Sequence, residues 1–262
     1  MIPPILLVGM GKMGGAMLSG WQEKGLAASF AVDPSSPAAP GPEVTVVADP
    51  SLIPADFAPN AIVMAVKPQA AAEVLPLYAR FGSAVLLSIM AGKTIAFLQQ
   101  GFGSASVVRA MPNTPAAIRQ GITVACPGAG VTPAQRDLCH SLLAGVGAVE
   151  WVDDEAIIDP VTAVSGGGPA YVFLLAELLE QAAIAQGVPA PLARVLARQT
   201  VSGSGALLAA STEDAAQLRR NVTSPKGTTE RALAVLMEES AWPLAVSRAI
   251  AAATARSREL AG

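Results

Sequence analysis

Gly9-Met10-Gly11-Lys12-Met13-Gly14 has the spacing G-x-G-x-x-G and stands directly between an apolar run at 5–8 and a helical pattern. In that setting each glycine has its own task. Gly9 permits a tight turn, Gly11 lets a pyrophosphate approach the backbone, and Gly14 lets the helix pack closely. The helix N-terminus adds unpaired N–H groups and the positive end of its dipole. The chemistry these residues suit is the binding of a dinucleotide. Asp33 lies 24 positions after Gly9, at the end of the second apolar run, where an acid would accept bonds from the adenine ribose hydroxyls of NAD. No Lys or Arg occurs between Lys24 and Lys67, so a 2′-phosphate would find the Ser35 and Ser36 hydroxyls but no cation, and Asp33 would repel it. Asp33-Pro34-Ser35 reads equally well as a plain turn.

Far along the chain, Lys226-Gly227-Thr228-Thr229 opens a helical pattern. Unpaired N–H groups and the helix dipole there suit a small carboxylate, although a threonine-capped helix start needs no ligand at all. Metal chemistry is not expected. Cys126, Cys139 and His140 are the only cysteines and histidine, too few for a closed zinc site, and their spacing matches no metal motif. His140 is expected to be a packed helix residue, and Asp153, Asp154 and Glu155 to be acids at a helix start.

The elements that must position these residues fall into two sets. Runs at 5–8, 29–32, 44–47, 61–66, 84–89, 106–110, 122–125 and 148–152 read as strands, nearly continuous in hydrophobicity as buried parallel strands are. Helical stretches separate several of them, among them one through Leu143 opened by the capping box Thr132-Pro-Ala-Gln135. This alternation predicts an α/β fold, a Rossmann-type dinucleotide-binding domain over 1–155. After residue 152 only helices are expected: 169–186, 190–210, a short one after Ser211 and Asp214, and two from about Thr229 and Ser240. The segment 156–262 is therefore read as an all-α domain. Its first helix is apolar almost all round, and about 110 residues make a thin monomeric bundle, so these helices are expected to pack against a second subunit.

Composition limits the partners. The chain has 262 residues, 52% hydrophobic and 14% charged, which excludes disorder. A net charge of −3 without a basic block argues against nucleic acid. Mean hydropathy is high, +0.48, yet the most apolar stretch carries Glu177 and Glu180, so no membrane span is expected. The start lacks a basic, cleavable leader and cysteine is scarce, which predicts a cytoplasmic protein.

Five further segments depart from generic α/β sequence: Ala65-Val66-Lys67-Pro68, Ser88-Ile-Met-Ala-Gly92, Arg109-Ala-Met-Pro-Asn-Thr-Pro-Ala116, Ser165-Gly-Gly-Gly-Pro-Ala-Tyr171 and Asn221-Val-Thr-Ser-Pro-Lys-Gly-Thr-Thr229. In this order after the glycine turn they resemble the pyrroline-5-carboxylate reductases, over essentially the whole chain. The resemblance implies reduction of 1-pyrroline-5-carboxylate, a cyclic imino acid, to L-proline by hydride from NADPH or NADH. It also implies a homodimer interlocked through the helical domain, which in this family often assembles further. Under it, Gly9 to Gly14 and the Asp33–Ser35 region form the phosphate and ribose sites, and Ala65, Val66, Lys67, Pro68 and Ala91 line the nicotinamide side. Asn221, Ser224, Gly227, Thr228 and Thr229 hold the substrate, with the Thr229 hydroxyl able to bond the ring nitrogen. The sequence departs from the family pattern at Met90, where a small residue is usual, and at Lys226, where glycine is usual. Two other readings compete: a β-hydroxyacid dehydrogenase, whose lysine on the first long helix of the second domain is absent from 169–186, and a non-catalytic NAD(P)-binding regulator.

Overall fold

All eight apolar runs are strands of one sheet: β1 (Ile5–Val8), β2 (Ser29–Val32), β3 (Val44–Val47), β4 (Ala61–Met64), β5 (Val85–Ser88), β6 (Val107–Met111), β7 (Gly121–Pro127) and β8 (Gly147–Trp151). Their order is β3-β2-β1-β4-β5-β6-β7-β8. The helices are α1 (Lys12–Glu23), α2 (Ala71–Val74), α3 (Ile95–Phe102), α4 (Pro133–Leu143), α5 (Ile158–Val161), α6 (Gly168–Ala185), α7 (Ala190–Ala210), α8 (Ala215–Asn221), α9 (Thr228–Leu236) and α10 (Trp242–Ala261). This computed structural model describes residues 1–261.

Every position of β1, β4 and β5 is buried, because helices cover both faces of the sheet. Side chains alternate between the two cores. Ile5 and Leu7 face Met17, Trp21 and Leu142, while Leu6 and Val8 lie with Tyr78, Leu98 and Phe102. Two strands depart from the all-parallel expectation: β7 runs antiparallel to β6, and β8, parallel to β7, shares its direction. The link between β6 and β7 holds only a short 3₁₀ turn at Thr114–Ile118, too little chain for a crossover, whereas α4 supplies one and brings β8 parallel to β7. The capping box at α4 forms with both hydrogen bonds present.

The chain divides into two units, Met1–Gly166 with the closing residues from Ala253, and Gly167–Ala252. Residues 156–166 and the end of α10 thus join the sheet rather than the helical domain in which the sequence put them. Asp159 is the reason: it is buried, pairs with Arg109 on β6, and accepts a hydrogen bond from Ser257 Oγ at 2.8 Å. Ile158 packs beside Val124 and Cys126 of β7.

The second unit has almost no interior. No residue of α6, α8 or α9 is buried, and in α7 only Ala193 and Ala197 are. By length and composition the run Glu155–Ala185 is apolar enough to cross a membrane, an 18-residue window within it having a mean hydropathy of 1.3. It is not uniformly apolar. Glu180 projects from α6 to Arg194 of α7 at 3.1 Å, and Gln181 donates to Glu177.

Candidate active site

Two strands flank the point where the sheet order reverses, β1 and β4, and a ligand crevice opens at the carboxyl ends of such a pair. The glycine turn follows β1 and Ala65–Pro68 follows β4, so the fold brings these two predicted segments together. Gly9 has φ +96°, and a Cβ there would stand 2.7 Å from Ala65 O. A Cβ on Gly14 would collide with Gly9 O, and Ala65 packs over the same spot. Gly11 is different: a Cβ there would meet nothing within 4 Å. Gly11 caps α1, and the first intrahelical bond is Gly15 N–H to Gly11 O, so the N–H groups of Lys12, Met13 and Gly14 precede the ladder. An open face before unpaired donors fits a dinucleotide's diphosphate. Lys12 is exposed, and Met10 and Met13 are half-buried against the core.

Asp33 is tied into the turn itself. Its Oδ2 accepts the Met10 N–H at 2.8 Å, and its Oδ1 accepts the Ser35 hydroxyl at 2.6 Å and the Ser35 N–H at 2.9 Å. These bonds, the Ser35 hydroxyl first, hold its carboxyl below the ordinary carboxylate range despite partial burial. The turn reading and the ribose reading are therefore compatible, since one carboxylate fixes the Ser35 loop and the glycine turn while lying beside both. On the β4 side, Lys67 is exposed, its ammonium makes no hydrogen bond or ion pair among the described residues, and its carbonyl accepts the Ala70 N–H at 3.0 Å in the 3₁₀ turn that starts at Pro68. Ala91 follows β5, the next strand along, in a turn closed by Gly92. Met90 points into the core rather than toward the crevice, so its bulk is absorbed there.

The second group of predicted residues lies in the helical unit. Ser224 O accepts the Gly227 N–H at 3.0 Å, closing a turn with Pro225 second and Lys226 third. Lys226 has φ +61°. That conformation marks a type II turn, in which glycine is favoured at the third place. A non-glycine residue held left-handed costs about 1–2 kcal/mol. Gly227 caps α9, and Thr228 and Thr229 occupy its first turn, so their N–H groups precede the helix ladder. Neither threonine hydroxyl has a protein partner among the described residues. Thr229 is half-buried and Thr228 and Ser224 are exposed. Asn221 ends α8 with its amide engaged elsewhere, accepting from Gln217 Nε2 at 2.7 Å and donating to Glu213 Oε2 at 3.0 Å.

Sequence reasoning missed the buried ion cluster around Arg109. Its guanidinium is 3% exposed and donates to Glu155 Oε1 at 2.8 Å and to Asp159 Oδ1 at 3.4 Å. Glu155 Oε1 also accepts the Ile95 N–H at the start of α3. Glu155 is thus a partner for a buried cation and not merely an acid at a helix start. An arginine inside an apolar strand was the available signal, because a buried guanidinium demands partners. His140 is exposed rather than packed, and its Nδ1 accepts from Trp151 Nε1 at 3.2 Å. Cys126 and Cys139 are free and buried, and burial pushes the Cys139 thiol up to about 12. Among the described residues no group of three metal-ligating side chains occurs.

Comparison with known proteins gives a consistent result. Residues 155–260 match the family model for pyrroline-5-carboxylate reductase dimerisation. The Pseudomonas aeruginosa pyrroline-5-carboxylate reductase is 38% identical over 99% of this chain and 97% of its own. The pea (Pisum sativum) enzyme of the same name is 37% identical over 78% of this chain and 74% of its own. Among solved structures, the Coxiella burnetii pyrroline-5-carboxylate reductase superposes with a TM-score of 0.87 at 31% identity, covering 98% of both chains. The Plasmodium falciparum pyrroline carboxylate reductase with NADP bound gives 0.82 at 28% identity, covering 99% of this chain and 98% of that one.

Proposed function

The chain belongs to the pyrroline-5-carboxylate reductase family, and from that premise we propose that it reduces 1-pyrroline-5-carboxylate to L-proline with NADPH or NADH. The single observation that carries the site is the start of α9, where unpaired N–H groups and two threonine hydroxyls without partners among the described residues stand together.

In this reading Gly9 to Gly14 hold the cofactor's diphosphate on the N–H groups of α1, and Asp33 and Ser35 receive its adenine ribose. Ala65, Val66, Lys67, Pro68 and Ala91 line the nicotinamide side. The reduced nicotinamide, when bound, supplies the hydride. The N-terminus of α9, with Gly227, Thr228 and Thr229, holds the substrate carboxylate. Ser224 supports that loop through its carbonyl, and Asn221 acts through Gln217 and Glu213 rather than as a bare amide. The Thr229 hydroxyl donates to or accepts from the ring nitrogen. An imine nitrogen is basic enough to arrive partly protonated, so the residues position the reactants and need supply no strong acid.

The unburied faces of α6 and α7 support a homodimer through the helical unit. The two buried free thiols accord with a cytoplasmic enzyme. Initial rates of NADH and NADPH oxidation with the imine test the activity. Binding of cofactor without its oxidation would turn the reading toward a regulator. Thr229→Ala should lower kcat/KM about tenfold, partly through kcat, and Thr229→Ser much less. If both variants match the parent, the substrate is held elsewhere.

A further inference from the structure

The turn before α9 contains a contradiction and its resolution. A type II turn sets its third residue at positive φ, a place that suits glycine, and the residue there is Lys226 at φ +61°. A lysine in this position favours the alternative type I turn, which keeps the same closing bond but gives its third residue an ordinary negative φ. The two forms differ by a flip of the peptide joining the second and third residues, here Pro225 and Lys226. That flip reverses the direction of the Lys226 N–H. In the structure this N–H donates to Glu230 Oε2 at 2.9 Å, a charge-assisted bond from the first turn of α9 back to the turn that precedes it. The bond exists only in the type II form.

We propose that Glu230 is a positioning residue of the substrate loop, selecting by its carboxylate the left-handed conformation that Lys226 would otherwise leave. The inference rests on the reading of 224–229 as the substrate site. The flip sits between Ser224 and Gly227, so it resets the approach of the chain to the N–H groups of Thr228 and Thr229. Glu230 itself touches neither substrate nor cofactor in this assignment. Its effect passes through the backbone of residue 226 and disappears if that residue is content in the left-handed region.

The test is a double-mutant cycle on the full-length enzyme, read as KM for the imine, kcat and KM for NADPH. Glu230→Ala should raise the imine KM about fivefold, with NADPH KM unchanged, and Glu230→Gln, which keeps an acceptor oxygen, should recover most of the loss. In a Lys226→Gly background the same Glu230→Ala change should cost less than about twofold, because glycine adopts the turn unaided. A merely structural glutamate, acting on the dipole or stability of α9, would cost the same in both backgrounds; that result overturns the proposal. Thermal melts of all variants identify any loss from unfolding, and the glycine background keeps the comparison readable if Glu230→Ala is unstable alone. Thr229→Ala in the same assay separates the two levels of argument. If Thr229→Ala impairs turnover and the Glu230 effects are additive, only the positioning role falls. If Thr229→Ala and Glu230→Ala are both silent, the substrate-loop reading falls and takes the positioning role with it.

Discussion

Leu87 of β5 and Leu174 of α6 are the same residue in regular structure, yet one is wholly buried and the other 52% exposed. The difference runs through the molecule. Around the sheet, two cores enclose nearly all large apolar side chains, and even the cation Arg109 is satisfied by acids of the same unit. In the helical unit Phe173, Val195 and Leu208 stand in the open, and α6 and α7, about five and six turns long, bury two alanines between them. Contiguous apolar surface on this scale marks an association face. One unit buries its apolar side chains within a single chain; the other leaves them open, as the proposed homodimer through that unit requires.

The largest effect should come from breaking that second half. Phe173→Glu, which places a charge on the open face of α6, should abolish the dimer and lower activity at least about 100-fold. Leu77→Asp, at a residue also more than half exposed but on the sheet unit, should change neither. Light scattering and turnover decide it, and a folded, active Phe173→Glu monomer would erase the contrast between the units.

Next in size is a contrast inside the sheet unit. Gly14→Ala drives a methyl into Gly9 O and should destabilise the protein by about 1–3 kcal/mol as well as abolish cofactor binding. Gly11→Ala faces open space, so it should leave the melting temperature within about 1–2 °C while weakening the cofactor. Equal losses of stability would show that the open face at Gly11 is not the diphosphate site.

The smallest effect concerns Asp33. Asp33→Ala should shift the NADPH to NADH ratio of kcat/KM toward NADPH by about 1–2 kcal/mol, through lost repulsion. Because Asp33 also holds the Met10 N–H, affinity for both cofactors should fall somewhat. The sign with pH follows from its lowered pKa. Its contribution to stability is fully present above the ordinary value of 3.8 and is lost as pH falls through the lower folded value. The gap in melting temperature between parent and Asp33→Asn should therefore be constant from pH 7 to the ordinary value and shrink below it. A gap that already closes near neutrality would place Asp33 outside the turn.

The strands were legible because continuous apolar runs bounded by turns have few other solutions, and the α4 capping box and the glycine turn because each rests on local geometry. The direction of β7 was not, since it depends on the length of the 112–120 link rather than on the strand's own residues. Nor was the division at 166, because the return of α10 is written in contacts between Asp159 and Ser257 that no local pattern encodes. In the proposed substrate loop the family resemblance flagged Lys226 as a departure; only φ revealed that the residue adopted glycine's conformation instead of changing the turn.

That return of α10 bears on how the gene can be cut and how the chain is made. All eight strands precede Ser257 in the chain, so a sheet assembled before the last helix is made would hold the Asp159 carboxylate without its hydroxyl donor. The last helix then closes the fold that the first residues began. An expression fragment ending at residue 155 would lose Asp159 altogether, and one ending at 166 would keep it without Ser257. A sheet unit intended to stand alone should instead be encoded as residues 1–166 joined by a linker to the segment from Ala253.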